Sequence, residues 1–217
     1  MPRVTGVTRQ ELLTYLVDVI GSVSRDRPVR VAVDGPDTAG KTTMADDLAV
    51  ALSGIRPTIR SSVDDYIRPA EQRSDFPGVQ TVGYFDDNFD IPALIAGLLI
   101  PLGPDGRLFY QTADGTAGSA PHNAVLLVDG VFLLQSALRP YWDVGIYLHI
   151  TEEEMLRRGV LRDHDRYGGG EATRRQFETE FIPGWRAYRA HHDPVATASI
   201  VIDHHDPAHP MIRRRTC

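Results

Sequence analysis

Apolar residues recur at three- and four-residue spacing over Leu12, Leu13, Leu16, Val17, Ile20 and Val23, which predicts an amphipathic helix. Thr8-Arg9-Gln10-Glu11 ahead of it reads as a capping box, and Pro28 closes the connection to the next element. The period then changes. Val29 to Val33 is a β-branched run, Thr58 to Val63 a shorter one, and Ala124 to Val128 is apolar throughout, as a buried parallel strand is. Asp143 to Ile150 and Ser199 to Ile202 predict two more strands. Helical periods lie between: Met44, Leu48 and Leu52, then Leu94, Ile95, Leu98, Leu99 and Leu102, with Asp90 as N-cap and Pro92 in the first turn. Thr151-Glu152-Glu153-Glu154 caps a further helix, and Glu171 to Ala190 reads as helical around Pro183, with Phe177, Phe181, Trp185 and Tyr188 as core aromatics. Strands alternating with helices predict an α/β fold, a mostly parallel sheet with helices on both faces.

The remaining stretches are polar. Ile67 to Val82 has no period and contains Pro69, Pro77 and Gly78, so a mobile or substrate-covering loop is expected. Asp105-Gly106 signals a turn, and Arg107 to Gln111 with the glycine-rich run to Gly118 predicts a hairpin or flap. Residues 205–217, which include Arg213 to Arg215, read as a flexible tail. With 217 residues, 42% of them apolar, the chain fits a single domain whose first 28 residues form a packing helix.

The sharpest chemical signal is Gly35-Pro36-Asp37-Thr38-Ala39-Gly40-Lys41-Thr42-Thr43, a match to G-x-x-x-x-G-K-[ST] set between a strand and a helix. Two glycines permit backbone angles that turn successive N–H groups inward, and the helix beginning near Lys41 adds its positive dipole end to the same point. Lys41 supplies a point charge for the β- and γ-phosphates, and the Thr42 hydroxyl is placed to ligate Mg²⁺. A nucleoside-triphosphate site, with ATP and Mg²⁺ as cofactors, is therefore expected, and the fold class becomes a P-loop NTPase.

Other candidates fall at strand ends, where ligands collect in open α/β sheets. Thr58 to Val63 delivers Asp64-Asp65-Tyr66, and the buried run ending at Val128 delivers Asp129, the position of a metal-holding acid. Arg158, Arg162 and Arg166 lie at helical spacing before Gly168-Gly169-Gly170. Such arginines either form a solvated face paired with Glu153 and Glu154, or neutralise a transferring phosphoryl group from a lid spanning about 157–170. Val201-Ile202-Asp203-His204-His205 carries the aspartate-histidine-histidine triplet of metal-dependent phosphoesterases, but those enzymes also need metal-binding aspartates on earlier strands, and neighbouring strand-end residues do not ligate one ion without partners at suitable geometry, so no metal site is expected there.

Net charge is −6, which argues against a general nucleic-acid binder. Cys217 is the sole cysteine, so no intrachain disulfide forms and a reducing compartment is the natural home. The N-terminal stretch is polar up to Glu11 and no apolar run reaches bilayer length, from which a cytoplasmic protein with no membrane partner is expected. Homo-oligomerisation is left open. A guanine clamp of the N-K-x-D type is absent, which counts against a nucleotide switch.

In order, the P-loop, Val63-Asp64-Asp65-Tyr66, Asn88-Phe89-Asp90, Val128-Asp129-Gly130 and Arg162-Asp163 resemble the uridine kinase family of P-loop nucleoside kinases and its relatives, including phosphoribulokinase. The resemblance spans about Val29 to Ile202. It implies transfer of the ATP γ-phosphoryl group to a small-molecule hydroxyl, a nucleoside 5′-hydroxyl first and a sugar phosphate or pantothenate as alternatives. It further implies Asp64 as general base, with Lys41, Arg158, Arg162 and Arg166 stabilising charge and Thr42 and Asp129 holding metal. Tyr66, Asp90, Tyr110 and Gln176 would join Asp64 around the acceptor. The family usually has glutamate where Asp129 stands, and its base-reading histidine after Tyr110 is missing from Gln111 to Gly118.

Overall fold

The computed structural model describes residues 6–72 and 88–215; the expected covering loop from residue 73 onward and Cys217 lie outside them. Helix α1 (Arg9–Ser22) starts at the expected box: Thr8 accepts from the Glu11 N–H, and the Glu11 carboxylate accepts in return from the Thr8 N–H. Six strands then make one sheet: β1 (Val29–Asp34), β2 (Thr58–Ser62), β5 (Val125–Gly130), β6 (Val144–His149), β7 (Ile200–Asp203) and β8 (Met211–Arg215). Their spatial order is β2-β5-β1-β6-β7-β8, parallel except for β8. The short strands β3 (Phe109–Gln111) and β4 (Ala117–Ser119) pair as the separate hairpin expected there.

Period-2 alternation divides the core between the two faces of the sheet. Val31, Val33, Leu127, Ile146 and Leu148 pack with α1 and with α2 (Lys41–Ser53) on one face. Ala32, Leu126, Val128 and Tyr147 pack on the other with Leu94, Leu98, Leu99, Trp185 and Tyr188. The register places Ser62 beside Asp129, Val33 beside Asp129, and Asp34 beside Gly130 and Tyr147, so the carboxyl ends that carry polar residues lie along one edge.

Two helices contain a widened turn just ahead of a proline. Helix α3 (Ile91–Leu94) runs into a π turn in which the Ile100 N–H bonds the Ile95 carbonyl at 2.9 Å, and Pro101 follows. Helix α5 (Gly170–Gln176) runs through Phe177–Phe181, where the Ile182 N–H bonds the Phe177 carbonyl, into α6 (Ile182–His192), with Pro183 next. A proline ring clashes with the carbonyl four residues back and offers no N–H, and an i→i−5 turn relieves both demands without ending the helix.

The tail is corrected by the structure. Residues 211–215 form β8 on the free edge of β7, with Asp203 opposite Met211 and Ile202 opposite Ile212. Ile212 packs against the core and the Arg213 guanidinium pairs with the Asp203 carboxylate, so an edge strand forms from a segment whose composition reads as polar.

Candidate active site

The P-loop closes around two glycines for two different reasons. A Cβ on Gly35 would stand 2.6 Å from the Leu148 carbonyl oxygen of the adjacent strand. Gly40 is the N-cap of α2 at φ +87°, a left-handed angle that glycine takes without strain. Lys41 is buried, and its Nζ donates to the Pro36 carbonyl at 2.8 Å, folded onto the loop it belongs to. Beneath the loop Asp34 is fully buried: it accepts from the Gly35 N–H at 2.7 Å, from the Leu134 N–H at 3.1 Å and from the Tyr188 hydroxyl. Burial pushes its pKa up to about 6 against these donors.

On the metal side the Thr42 hydroxyl donates to Asp129 Oδ2 at 2.6 Å. With its hydrogen committed to the carboxylate, the hydroxyl presents only lone pairs elsewhere, as a hard cation requires. An oxygen-only pair of this kind fits Mg²⁺. Among the described residues no group of three or more His, Cys, Asp or Glu could cage an ion, so phosphate oxygens would complete the coordination.

Asp64 and Asp65 do not lie on extended backbone, contrary to the strand expected through Val63. Val63–Tyr66 is a 3₁₀ turn capped by Ser62, and Asp65 closes a capping box by accepting from the Ser62 N–H at 3.0 Å. The turn, rather than strand alternation, separates the two acids. Asp64 opens onto a cavity of about 850 Å³ with Lys41, Thr42 and Asp129. Surrounding protein desolvates its carboxylate enough to raise its pKa although it meets solvent in the cavity, and the Lys41 charge opposes that shift.

Arg158, Arg162 and Arg166 all line the same cavity. Helix α4 (Glu152–Arg162) carries the first two, beginning at Thr151, whose hydroxyl accepts from the Glu154 N–H. Arg158 makes the expected pair with Glu154, but it is mostly buried and its other donors go to backbone carbonyls. Its Nε donates to Glu154 at 2.6 Å, while Nη1 donates to the Thr38 carbonyl at 3.2 Å and Nη2 to those of His204 and His205 at 2.8 and 2.9 Å. With four of its donors engaged, it braces the P-loop to the end of β7. Arg162 is bidentate on Asp163 and half-exposed, and Arg166 lies over the Tyr167 ring.

The residues expected around an acceptor are divided. Asp64 and Gln176 are in the 850 Å³ cavity, where Gln176 donates to Glu180. Tyr66, Asp90 and Tyr110 line a second cavity of about 700 Å³, walled by the β3–β4 hairpin, and Ile67 borders both. Asp90 caps α3 by accepting from the Ala93 N–H at 3.1 Å and stands 3.5 Å from Arg68. Gln176 is thus away from the three side chains it was expected to join.

Sequence reading passed over Arg60 and weighed His204 only as part of a metal-binding triplet. His204 is buried, and its Nδ1 bonds the Ala39 carbonyl at 2.7 Å; the Asp203 carboxylate pairs with both His205 and Arg213. Arg60 reaches across from β2 to Asp129. No spacing rule marks either contact, because both join distant segments.

No family model matches the chain, and no curated protein does. Solved structures do match. A protein from Bacillus stearothermophilus described as a possible uridine kinase superposes with a TM-score of 0.66 at 16% identity, covering 88% of this chain and 97% of that one. The chain has the fold of the uridine kinase-like P-loop kinases. The same fold is shared with a protein from Silicibacter sp. TM1040 described as a candidate fructose transport system kinase, at TM-score 0.65, 22% identity and coverage of 86% and 96%. D-glycerate 3-kinase from Cryptococcus neoformans follows at 0.53 and 15%, covering 85% and 88%. No helix among the described residues of this P-loop fold is long and apolar enough to cross a membrane.

Proposed function

We propose that this chain is an ATP-dependent kinase that phosphorylates a primary hydroxyl of a small polyhydroxylated molecule, a nucleoside 5′-hydroxyl being the first candidate. One observation carries this reading. Asp64 opens onto the cavity of the P-loop lysine and the lid arginines, and Ile67 in its wall also borders a second cavity lined by Tyr66, Asp90 and Tyr110. A hydrolase site needs no such second chamber.

In the proposed reaction the acceptor oxygen forms a bond to the γ-phosphorus while the bond to the β,γ-bridging oxygen breaks and ADP leaves. The acceptor proton passes to the Asp64 carboxylate. Lys41 exchanges the Pro36 carbonyl for phosphate oxygens, and Arg162 and Arg166 neutralise charge on the transferring group. Arg158 contributes by holding the Thr38 carbonyl and so the shape of the loop. Thr42 and Asp129 would hold Mg²⁺, which would supply charge neutralisation to the phosphates. Asp90, with its carboxylate at the second cavity, accepts hydrogen bonds from acceptor hydroxyls.

The missing histidine after Tyr110 favours a second reading, in which the acceptor is a sugar or sugar acid without a base. The solved structures described as fructose transport system kinase and D-glycerate 3-kinase support it. The test is ADP release from Mg-ATP with a panel of nucleosides, sugars, sugar acids and pantothenate. Release that depends on one acceptor supports the kinase and names its class. Release without any acceptor makes the protein an ATPase, and none at all overturns catalysis.

A further inference from the structure

Strand β2 lies against β5 with Ser62 opposite Asp129, and Arg60 stands two residues earlier on the same strand face. Its guanidinium runs along the strands to Asp129, with Nη2 2.7 Å from Oδ1. Its Nε donates to Asp46 at 3.0 Å, and Asp46 lies one helical turn beyond Thr42 on α2. Arg60 therefore joins the two elements that build the metal side of the P-loop.

Asp129 is 1% exposed; its Oδ2 accepts from the Thr42 hydroxyl, while Oδ1 accepts no hydrogen bond and is paired with the guanidinium by charge and proximity alone. A buried carboxylate without a counter-charge would be costly, and would draw any divalent cation from solution. Here that charge is compensated before an ion arrives. An ion entering beside Thr42 meets a carboxylate already shared with a fixed cation, and the repulsion between the two cations acts at short range in a poorly hydrated place.

We propose that Arg60 is a positioning residue that neutralises and orients Asp129, so that the site refuses a free divalent cation and accepts one only together with nucleotide phosphates. On this account Asp129 acts on the ion through the Thr42 hydroxyl or a water. The proposal rests on the phosphate-site reading above, and its test needs neither an acceptor nor turnover.

The experiment is Mn²⁺ titration of the nucleotide-free full chain, with free Mn²⁺ followed by electron paramagnetic resonance. Wild type is compared with Arg60→Gln, Arg60→Lys and Asp46→Asn, each checked for a cooperative thermal transition. Arg60→Gln should bind Mn²⁺ at least about tenfold more tightly than wild type, a modest consequence of removing one adjacent charge. Arg60→Lys, which restores the charge, and Asp46→Asn, which leaves Asp129 untouched, should stay near wild type. Arg60→Met keeps the aliphatic stem and takes the place of the glutamine variant if that one does not fold. Equal Mn²⁺ affinity in wild type and the neutral variants overturns the proposal, as does an Asp46→Asn protein that behaves like Arg60→Gln. Binding of a non-hydrolysable Mg-ATP analogue to wild type is measured alongside. Its absence would sink the phosphate-site reading itself, whereas analogue binding with unchanged Mn²⁺ affinities removes only the role of Arg60.

Discussion

His204 bonds through Nδ1 to the carbonyl of Ala39 at 2.7 Å, tying the end of β7 to the middle of the P-loop. A carbonyl only accepts, so Nδ1 carries the proton. Burial lowers the pKa of this imidazole against the Ala39 hydrogen bond and keeps the ring neutral. The same ring lies against Gly40, where a Cβ would come within 3.2 Å of Cε1. His204→Leu should weaken nucleotide binding by about tenfold, the scale of one buried hydrogen bond, while His204→Asn, whose amide can donate in place of Nδ1, should restore most of it. Calorimetric titration with a non-hydrolysable ATP analogue reads both. Wild-type affinity in the leucine variant would reduce the contact to packing.

Lys41→Ala should abolish phosphoryl transfer and leave the fold intact, because the residue serves phosphate charge and its Nζ touches only a loop carbonyl. Circular dichroism and a thermal melt check the second half. A variant that unfolds on purification contradicts the assignment.

The two adjacent acids should separate cleanly. Asp64→Asn should keep nucleotide affinity and lower turnover by roughly 10²- to 10⁴-fold, the contribution of a positioned base. Asp65→Asn should cost much less turnover and some stability, since Asp65 accepts from the Ser62 backbone. The pH profile has a definite sign. A base acts when ionised, and the Asp64 pKa is raised from 3.8, so the ascending limb of kcat/KM should lie above the ordinary aspartate range. An ascending limb that stays in place in the Asp64→Asn enzyme would assign it to another group.

Arg162→Ala should lower kcat/KM by about 10²-fold or more if its guanidinium leaves Asp163 for the transferring group. Arg158→Ala should act differently, raising the nucleotide KM and lowering the melting temperature, because its donors hold the Thr38, His204 and His205 carbonyls. Steady-state kinetics and melts of both variants distinguish the roles. An effect under twofold at Arg162 makes it a solvated helix face.

The sequence by itself determined the α/β class, because buried strands, helical periods and caps are local patterns whose physics lies within a few residues of each other. It also determined the P-loop, since Gly40, Lys41 and Thr42 act through backbone angles and a helix start that the motif itself encodes. The tertiary structure decided everything that depends on which strand lies beside which. Placing β5 between β2 and β1 set Arg60 on Asp129, and bringing the end of β7 under the loop set His204 on Ala39. The 3₁₀ turn that parts Asp64 from Asp65 follows from the Ser62 cap, which competes with strand extension in a way alternation rules do not register. Residues 211–215 became a strand only because β7 offered an unpaired edge and Asp203 a partner for Arg213. These contacts join positions far apart in the chain, and their energies depend on burial and geometry that exist only once the sheet has formed.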